Sequence, residues 1–311
     1  MHCRLSFLIL IALIAAAIPP ASTASRQQKP QSGKPQQPPP KPRERVVIET
    51  HFVTVNVKVV DDFGRFVVGL KKEDFEIYDN EIKQEVAQFS DEDTPISVGF
   101  VYDVSGSMNG LSARAFALLR QFFDYSHNED EYFIMAFNNK PRLVQDFTSL
   151  PEEIINRMIH IPAKGSTSLY DAVYLAAEKV KQGRHQKKAL LIFSDGEENS
   201  SRYSGKELAN LLKETDIQIY TVGMDQLSGG GAVLRDLSEP TGGLAGFPMG
   251  FAEAEHFYAR LALLLRRQYV LGFYPTDTSK KKAWHKLHVK LNAPKQMRRL
   301  TLSYRKGYPA F

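Results

Sequence analysis

Asp103, Ser105 and Ser107 place one carboxylate and two hydroxyls on the stretch Asp-Val-Ser-Gly-Ser, directly after the apolar run Ile96 to Tyr102. Oxygen donors on a tight turn at the end of a buried strand are the start of a site for a divalent cation. No Cys or His lies beside them. Carboxylate and hydroxyl oxygens match small, weakly polarisable ions, so Mg²⁺, Mn²⁺ or Ca²⁺ suits this set better than Zn²⁺ or copper. Two further segments carry the same chemistry. Ser194-Asp195-Gly196 follows the apolar run Ala189 to Phe193, and Gly165-Ser166-Thr167-Ser168 sets hydroxyls immediately before a helical pattern, with Thr167 available as a third hydroxyl donor. Taken singly, Asp103, Ser105 and Ser107 also read as helix caps, and Thr167 and Asp195 as turn or cap residues. Asp171 reads as support for the loop rather than as a ligand.

These residues need a scaffold that brings distant segments to one edge. Apolar runs at Ile96 to Tyr102, Tyr132 to Phe137, Ala189 to Phe193, Ile217 to Val222 and Gly243 to Phe247 alternate with helical patterns. The helical patterns cover Leu111 to Tyr125, Glu152 to Ile159, Leu169 to Gln182, Gly205 to Glu214 and Ala252 to Arg267. Near-continuous apolar strands separated by amphipathic helices predict an α/β fold, a doubly wound, mostly parallel sheet covered on both faces. Ligands of such sheets sit at the C-terminal ends of the strands, where Asp103 and Asp195 both fall. The segments on either side have β character: Phe52 to Val60, Phe75 to Tyr78 and Glu85 to Phe89 before, and Gln268 to Tyr274, Trp284 to Leu291 and Leu300 to Tyr304 after. With no helix between them they are expected to pair antiparallel, as one small β domain assembled from both ends of the chain.

The chain has 311 residues and a formal net charge of +5. His2 and Arg4 precede the apolar run Leu5 to Ile18, which leads to Pro19, Pro20 and Ala21-Ser22-Thr23-Ala24. That order reads as a secretory signal peptide over residues 1–24, cleaved near Ala24. The apolar run is shorter than the ~20 residues of a membrane span; an uncleaved N-terminal anchor is the alternative. Cys3, the only cysteine, lies inside this segment, so the mature chain is expected to lack disulfides and to depend on its core for stability outside the cytosol. Residues 25–45, rich in Gln, Lys and Pro, read as a disordered linker. The remaining division is a β segment at 46–92, the α/β domain at 93–267 and a second β segment at 268–311. The basic clusters Arg184 to Lys188, Lys280 to Lys282 and Lys295 to Arg299 are scattered and read as solvated faces. Neither nucleic acid binding nor a membrane span in the mature chain is expected, and the location is periplasmic or extracellular.

Asp103-x-Ser105-x-Ser107, Thr167 and Asp195 resemble, in order and spacing, the metal-ion-dependent adhesion site of von Willebrand factor A domains, the fold shared with integrin inserted domains. The flanks extend the likeness. Gly69-Leu70-Lys71-Lys72-Glu73-Asp74-Phe75-Glu76-Ile77-Tyr78-Asp79, Tyr269-Val270-Leu271-Gly272-Phe273-Tyr274 and Tyr304-Arg305-Lys306-Gly307-Tyr308 are similar to segments of the secreted von Willebrand factor A-related proteins common in acidobacteria and similar bacteria. The resemblance runs from about Val46 to the end of the chain. It implies that Ser105, Ser107 and Thr167 coordinate the ion through hydroxyls, with Asp103 and Asp195 bonding directly or through water. Neutral hydroxyls leave the cation under-neutralised, with a position open for a carboxylate from a partner's Asp or Glu.

The expected function is therefore a secreted binding module, not an enzyme, that captures an acidic group of a macromolecule through Mg²⁺, or Mn²⁺ or Ca²⁺ in its place. Two other readings stand beside it. A metal-dependent hydrolase needs a general base, and His127, His160, His185 and His256 have no sequence link to the crevice. An envelope scaffold with a vestigial metal site needs only the β unit. His285 and His288, three apart on a strand, point to opposite faces and do not make a shared metal site. Gly-x-Ser-x-Gly and Gly-x-x-x-x-Gly-Lys signatures are absent, and Gly229-Gly230-Gly231 reads as a mobile loop beside the crevice.

Overall fold

The alternation Val-Thr-Val-Asn-Val-Lys-Val becomes strand β1 (Val53–Val60). Val53, Val55, Val57 and Val59 are buried on one face, while Thr54, Asn56 and Lys58 occupy the other, as the two-residue period of a strand requires. The computed structural model describes residues 51–110, 119–224, 229–276, 284–292 and 299–310, all within one unit, Glu49–Phe311. The signal-peptide and linker expectations, residues 111–118 of the helix expected at Leu111 to Tyr125, the cluster Lys280 to Lys282 and all but Arg299 of the last basic cluster lie outside the described residues.

The two flanks meet. Strand β1 pairs antiparallel with β11 (Tyr269–Phe273), from Val53 opposite Phe273 to Val57 opposite Tyr269, and with β13 (Thr301–Ser303). With β4 (Gln88–Ser90) they form a sheet in the order β13-β1-β11-β4. A second sheet has the order β14-β12-β2-β3, built from β14 (Gly307–Pro309), β12 (Trp284–Leu291), β2 (Phe75–Asp79) and β3 (Ile82–Gln84). Phe75, Ile77, Leu287 and Val289 of this sheet join the β1 valines, Tyr269, Leu271 and Phe273 in one core. Burying each such side chain is worth roughly 1.5–3 kcal/mol, and each flank gives only two strands to each sheet, too few to do it without the other. A buried cluster inside the second sheet fixes its register: Asp79 Oδ1 lies 2.8 Å from His285 Nδ1, and Tyr308 donates to Asp79 Oδ2 at 2.8 Å.

Between the flanks lies the six-stranded sheet, in the order β10-β9-β8-β5-β6-β7. Its strands are β5 (Ile96–Asp103), β6 (Glu131–Phe137), β7 (Pro141–Thr148), β8 (Lys187–Ser194), β9 (Gln218–Gly223) and β10 (Leu244–Gly246). Every pairing is parallel except β6 with β7. Along β5, β6 and β9 every residue is buried, because helices cover both faces. Helices α1 (Pro151–Ile159) and α5 (Phe251–Arg266) contribute Ile154, Ile155, Tyr258, Leu261 and Leu265 to one core. On the other face, α2 (Leu169–Val180), α3 (Gly205–Lys213) and α4 (Gly231–Ser238) contribute Val173, Ala176, Leu208 and Leu234.

Three features differ from the sequence expectation. Strand β7 had no apolar run to announce it, because an edge strand with Arg142, Leu143 and Asp146 exposed needs only one ladder. Gly231 opens α4 rather than lying in a loop, and the backbone of Gly230 packs on that of Asp195 and Gly196, beside the crevice as expected. The cluster Arg184 to Lys188 is not simply a solvated face. Lys187 is buried and donates to the Arg266 carbonyl at 3.1 Å, and Lys188 donates to the Gly183 carbonyl at 2.9 Å.

Candidate functional site

The parallel register delivers Asp103 and Ser194 side by side. Tyr102 pairs with Phe193, so the next residues of β5 and β8 emerge together at the C-terminal edge. Asp103 is fully buried there. Its Oδ2 accepts a 2.6 Å hydrogen bond from the Ser194 hydroxyl, and its Oδ1 accepts the Ser105 backbone N–H at 2.9 Å. A 3₁₀ turn, Gly106–Met108, follows, and the Ser105 and Ser107 hydroxyls lie 3.1 Å apart. Ser105 is buried whereas Ser107 faces solvent.

Thr167 reaches the same edge through loop-to-loop contacts. The Gly106 N–H donates to the Gly165 carbonyl at 2.9 Å, and the Lys164 N–H to the Val104 carbonyl at 2.8 Å. Gly165 has φ +89°, and a Cβ there would collide with the Asn139 side chain, so this left-handed turn requires glycine. Thr167 itself is buried and held from the β8 side. Its N–H donates to Asn199 Oδ1 at 2.9 Å, and its carbonyl accepts the N–H groups of Asn199 and Ser200, both at 3.1 Å. From the β6–β7 side, Asn138 Nδ2 donates to the Lys164 carbonyl at 3.0 Å and Ser168 donates through Oγ to the Asn138 carbonyl at 2.7 Å. Asp195 is buried, with Oδ1 accepting the Glu197 N–H at 3.0 Å.

All five candidates therefore sit at the C-terminal ends of the parallel strands, where β5, β8 and the loop before α2 converge. Asp171 supports the loop, accepting the Arg202 and Tyr203 N–H groups through Oδ1 at 2.9 Å each. Sequence reading missed the supports: Asn138, Asn139, Ser194, Glu198 and Asn199. Glu198 caps the start of α2 by accepting the Tyr170 N–H at 2.9 Å. Ser194 and Asn199 flank Asp195 closely enough that their nearness in sequence was a usable signal; Asn138 and Asn139 carried none.

Electrostatics suit a cation. Burial pushes the Asp103 carboxyl up to about 6, with the charge of Asp195 adding to the shift and the hydrogen bonds from Ser105 and Ser194 opposing it. Among the described residues Asp103 has no Lys or Arg ion pair within 4.0 Å. A buried carboxylate beside a second one, without a counter-charge, is stabilised by a bound cation. The same described residues contain no group of three or more His, Cys, Asp or Glu arranged for a metal. The oxygen donors that fit are thus two carboxylates with three hydroxyls, a set suited to a hard ion.

The family model of the von Willebrand factor type A domain matches residues 98–198. That span opens in β5 and closes just beyond Asp195, enclosing all five candidates. This chain carries a von Willebrand factor type A domain. No curated protein matches the chain. Solved structures of similar fold include von Willebrand factor type A from Catenulispora acidiphila, at 12% identity over 84% of this chain and 73% of that one, with a TM-score of 0.48. The conserved hypothetical protein BatB from Bacteroides thetaiotaomicron has 14% identity over 54% of this chain and 98% of its own, with a TM-score of 0.45. Proximal thread matrix protein 1 from the mussel byssus has 14% identity over 60% and 51% of the two chains, with a TM-score of 0.48. Beside its von Willebrand factor type A domain this chain carries the β sandwich made by its own flanks. No helix among the described residues is long and apolar enough to cross a membrane.

Proposed function

We propose that this is an exported binding protein whose von Willebrand factor type A domain captures an acidic group of a macromolecular partner through a divalent cation, Mg²⁺ or in its place Mn²⁺ or Ca²⁺. Domains of this family are often involved in adhesion or protein–protein interaction. The observation that carries the reading is the buried Asp103 carboxylate, without an ion pair among the described residues, joined through Ser105 and Ser194 to the edge that also presents Ser107, Thr167 and Asp195. Asp103 and Asp195 would supply the charge and the three hydroxyls the neutral donors. When bound, the cation would act as a Lewis acid for a carboxylate arriving from solvent. Ser107, the exposed donor, marks the side from which that carboxylate approaches. Asn199, Asn138 and Ser194 hold the donors before the ion arrives, which limits the ordering cost of binding.

Binding rather than turnover is favoured by where His127, His185 and His285 lie. The His185 N–H donates to Ser97 Oγ at 3.2 Å and the His127 N–H to Asp130 at 2.8 Å, both at the N-terminal edge of the sheet, while His285 is buried in the sandwich. Export rests on the order of residues in the first 24 positions.

The test is calorimetric titration of the mature chain with Mg²⁺ and Mn²⁺, followed by pull-down from cell envelope and medium with and without chelator. Asp103→Ala should abolish both ion binding and capture while the fold survives by circular dichroism. A partner retained equally by Asp103→Ala, or in chelator, refutes the cation mechanism. Metal-dependent hydrolysis of ester or phosphoester substrates, lost in Asp195→Ala, would move the protein to the enzymes.

A further inference from the structure

A second surface, away from the strand ends, carries its own chemistry. Helix α5 packs beside the turn that follows β1, and the two enclose a groove of about 450 Å³. Its floor is apolar, formed by Phe66, Val68 and Leu263, and Val68 and Tyr125 are exposed at 57% and 43%. His256, Arg260 and Arg267 line it from the helix side and Arg65 from the turn. Residues 256, 260, 263 and 267 follow the four-three-four spacing of one helix face. No Asp or Glu among the described residues lines the groove.

Arg260 of α5 and Arg267, just beyond its end, have no ion-pair partner among the described residues. Arg65 is held by Asp61, Nε to Oδ2 at 2.8 Å, and Arg266, beside the groove, is held by Asp93. Among the described residues neither Arg260 nor Arg267 makes an ion pair, and Arg260 Nε is buried without a hydrogen-bond partner. The Arg260 guanidinium lies against the backbone of Gly64. Gly64, in the left-handed conformation at φ +71°, brings its backbone so close that a Cβ would meet Arg260 Cζ at 2.6 Å, so any side chain there would push the guanidinium away. A guanidinium beside a close-packed glycine turn, with a buried N–H that no group among the described residues satisfies, can take up an incoming acceptor.

We propose that this groove is a second docking site, independent of the cation, for an extended acidic segment of a protein partner. Spacing sets the chemistry of the segment. Arg267, the residue that closes α5, lies seven positions beyond Arg260, about 10 Å along the axis at ~1.5 Å per residue. A segment in the polyproline II conformation returns to the same face every three residues and advances about 9 Å in doing so, at ~3.1 Å each. The segment is thus Asp or Glu, two apolar residues, then Asp or Glu. Its acids pair with Arg260 and Arg267, and its apolar pair covers Leu263, Phe66 and Val68. Arginine forks bind carboxylates in pairs of hydrogen bonds, which supplies the spacing selectivity.

The test uses the full chain and fluorescein-labelled peptides read by anisotropy in EDTA. The probes are Gly-Glu-Leu-Val-Glu-Gly, its isomer Gly-Glu-Glu-Leu-Val-Gly with the acids adjacent, and the neutral Gly-Gln-Leu-Val-Gln-Gly. The first is expected to bind, and the other two at least about tenfold more weakly. Arg260→Gln and Arg267→Gln should each weaken it by about tenfold, the loss expected for a charge-assisted pair. Arg267 is exposed, so its variant keeps the test valid if Arg260→Gln fails to fold. Asp103→Ala should bind as the parent does, which separates this site from the cation site. Equal affinity for all three peptides, no binding of the first, or indifference to Arg267→Gln overturns the proposal. Binding to phosphatidylglycerol vesicles that Arg267→Gln abolishes, with no peptide bound, would assign the groove to a lipid surface instead.

Discussion

Lys58 should set a slope in the stability of this protein with pH. It lies on the outer face of β1, is buried, and donates from Nζ to the Tyr220 hydroxyl of β9 at 2.6 Å. No carboxylate among the described residues pairs with it, and burial alone lowers its ammonium from 10.5 to about 7. Below about pH 7 the lysine is charged in both folded and unfolded chains and adds no pH dependence. Between about 7 and 10.5 the unfolded chain holds a proton that the folded chain has lost, so stability rises with pH in that window. One proton corresponds to a slope approaching ~1.4 kcal/mol per pH unit. From about pH 8 to about pH 10 the gain is roughly 2–3 kcal/mol. Other groups titrate as well, so the quantity to measure is the difference between the parent and Lys58→Met. Methionine fills the same space, and Tyr220 keeps its hydrogen bond to Gln218 Oε1 at 3.0 Å. Urea unfolding at several pH values should show Lys58→Met as the more stable protein near neutrality, with its advantage shrinking by that amount towards pH 10. A difference that stays flat across the window would show that Lys58 is solvated or ion-paired in solution, and the burial argument would fail.

Two further outcomes follow from the hydrogen bonding. Asn199→Ala removes the acceptor of the buried Thr167 N–H and should cost about 1–3 kcal/mol of stability; calorimetry should show Mg²⁺ affinity falling about tenfold or more, as for the loss of a residue that positions a ligand. Unchanged affinity would mean that Thr167 is held by the Asn138 side alone. Asp79→Ala removes the carboxylate that His285 and Tyr308 share inside the second sheet, leaving the Tyr308 hydroxyl and His285 Nδ1 3.2 Å apart, and should lower stability by about 1–3 kcal/mol in urea unfolding, while leaving the cation site intact; a loss of ion binding without loss of stability would contradict the separation of the two.

How far the chain was legible depended on range. Val53 to Val59 announce a half-buried strand because the two-residue period is written into adjacent positions. Ile96 to Tyr102 and Ala189 to Phe193 announce buried strands because both faces must be apolar. Strand β7 escaped notice, since an edge strand with one exposed face permits Arg142, Gln145 and Asp146. Lys58 occupies the polar phase of an alternating strand and reads as a solvent-facing residue; it is buried because Tyr220, more than 160 positions away, packs over it.

The site divides in the same way. The types and order of Asp103, Ser105, Ser107, Thr167 and Asp195 were determined by the sequence alone, because oxygen chemistry at strand ends is a local property of each segment. Tertiary structure alone decided that Ser194 would hold Asp103, that Asn138 and Asn199 would grip the Thr167 loop from opposite sides, and that Arg260 would lie against Gly64. Each of those contacts joins segments that approach only when the parallel register is set and the two flanks close into one sandwich. Burial and hydrogen-bond satisfaction depend on that closure, and so no local pattern can encode them.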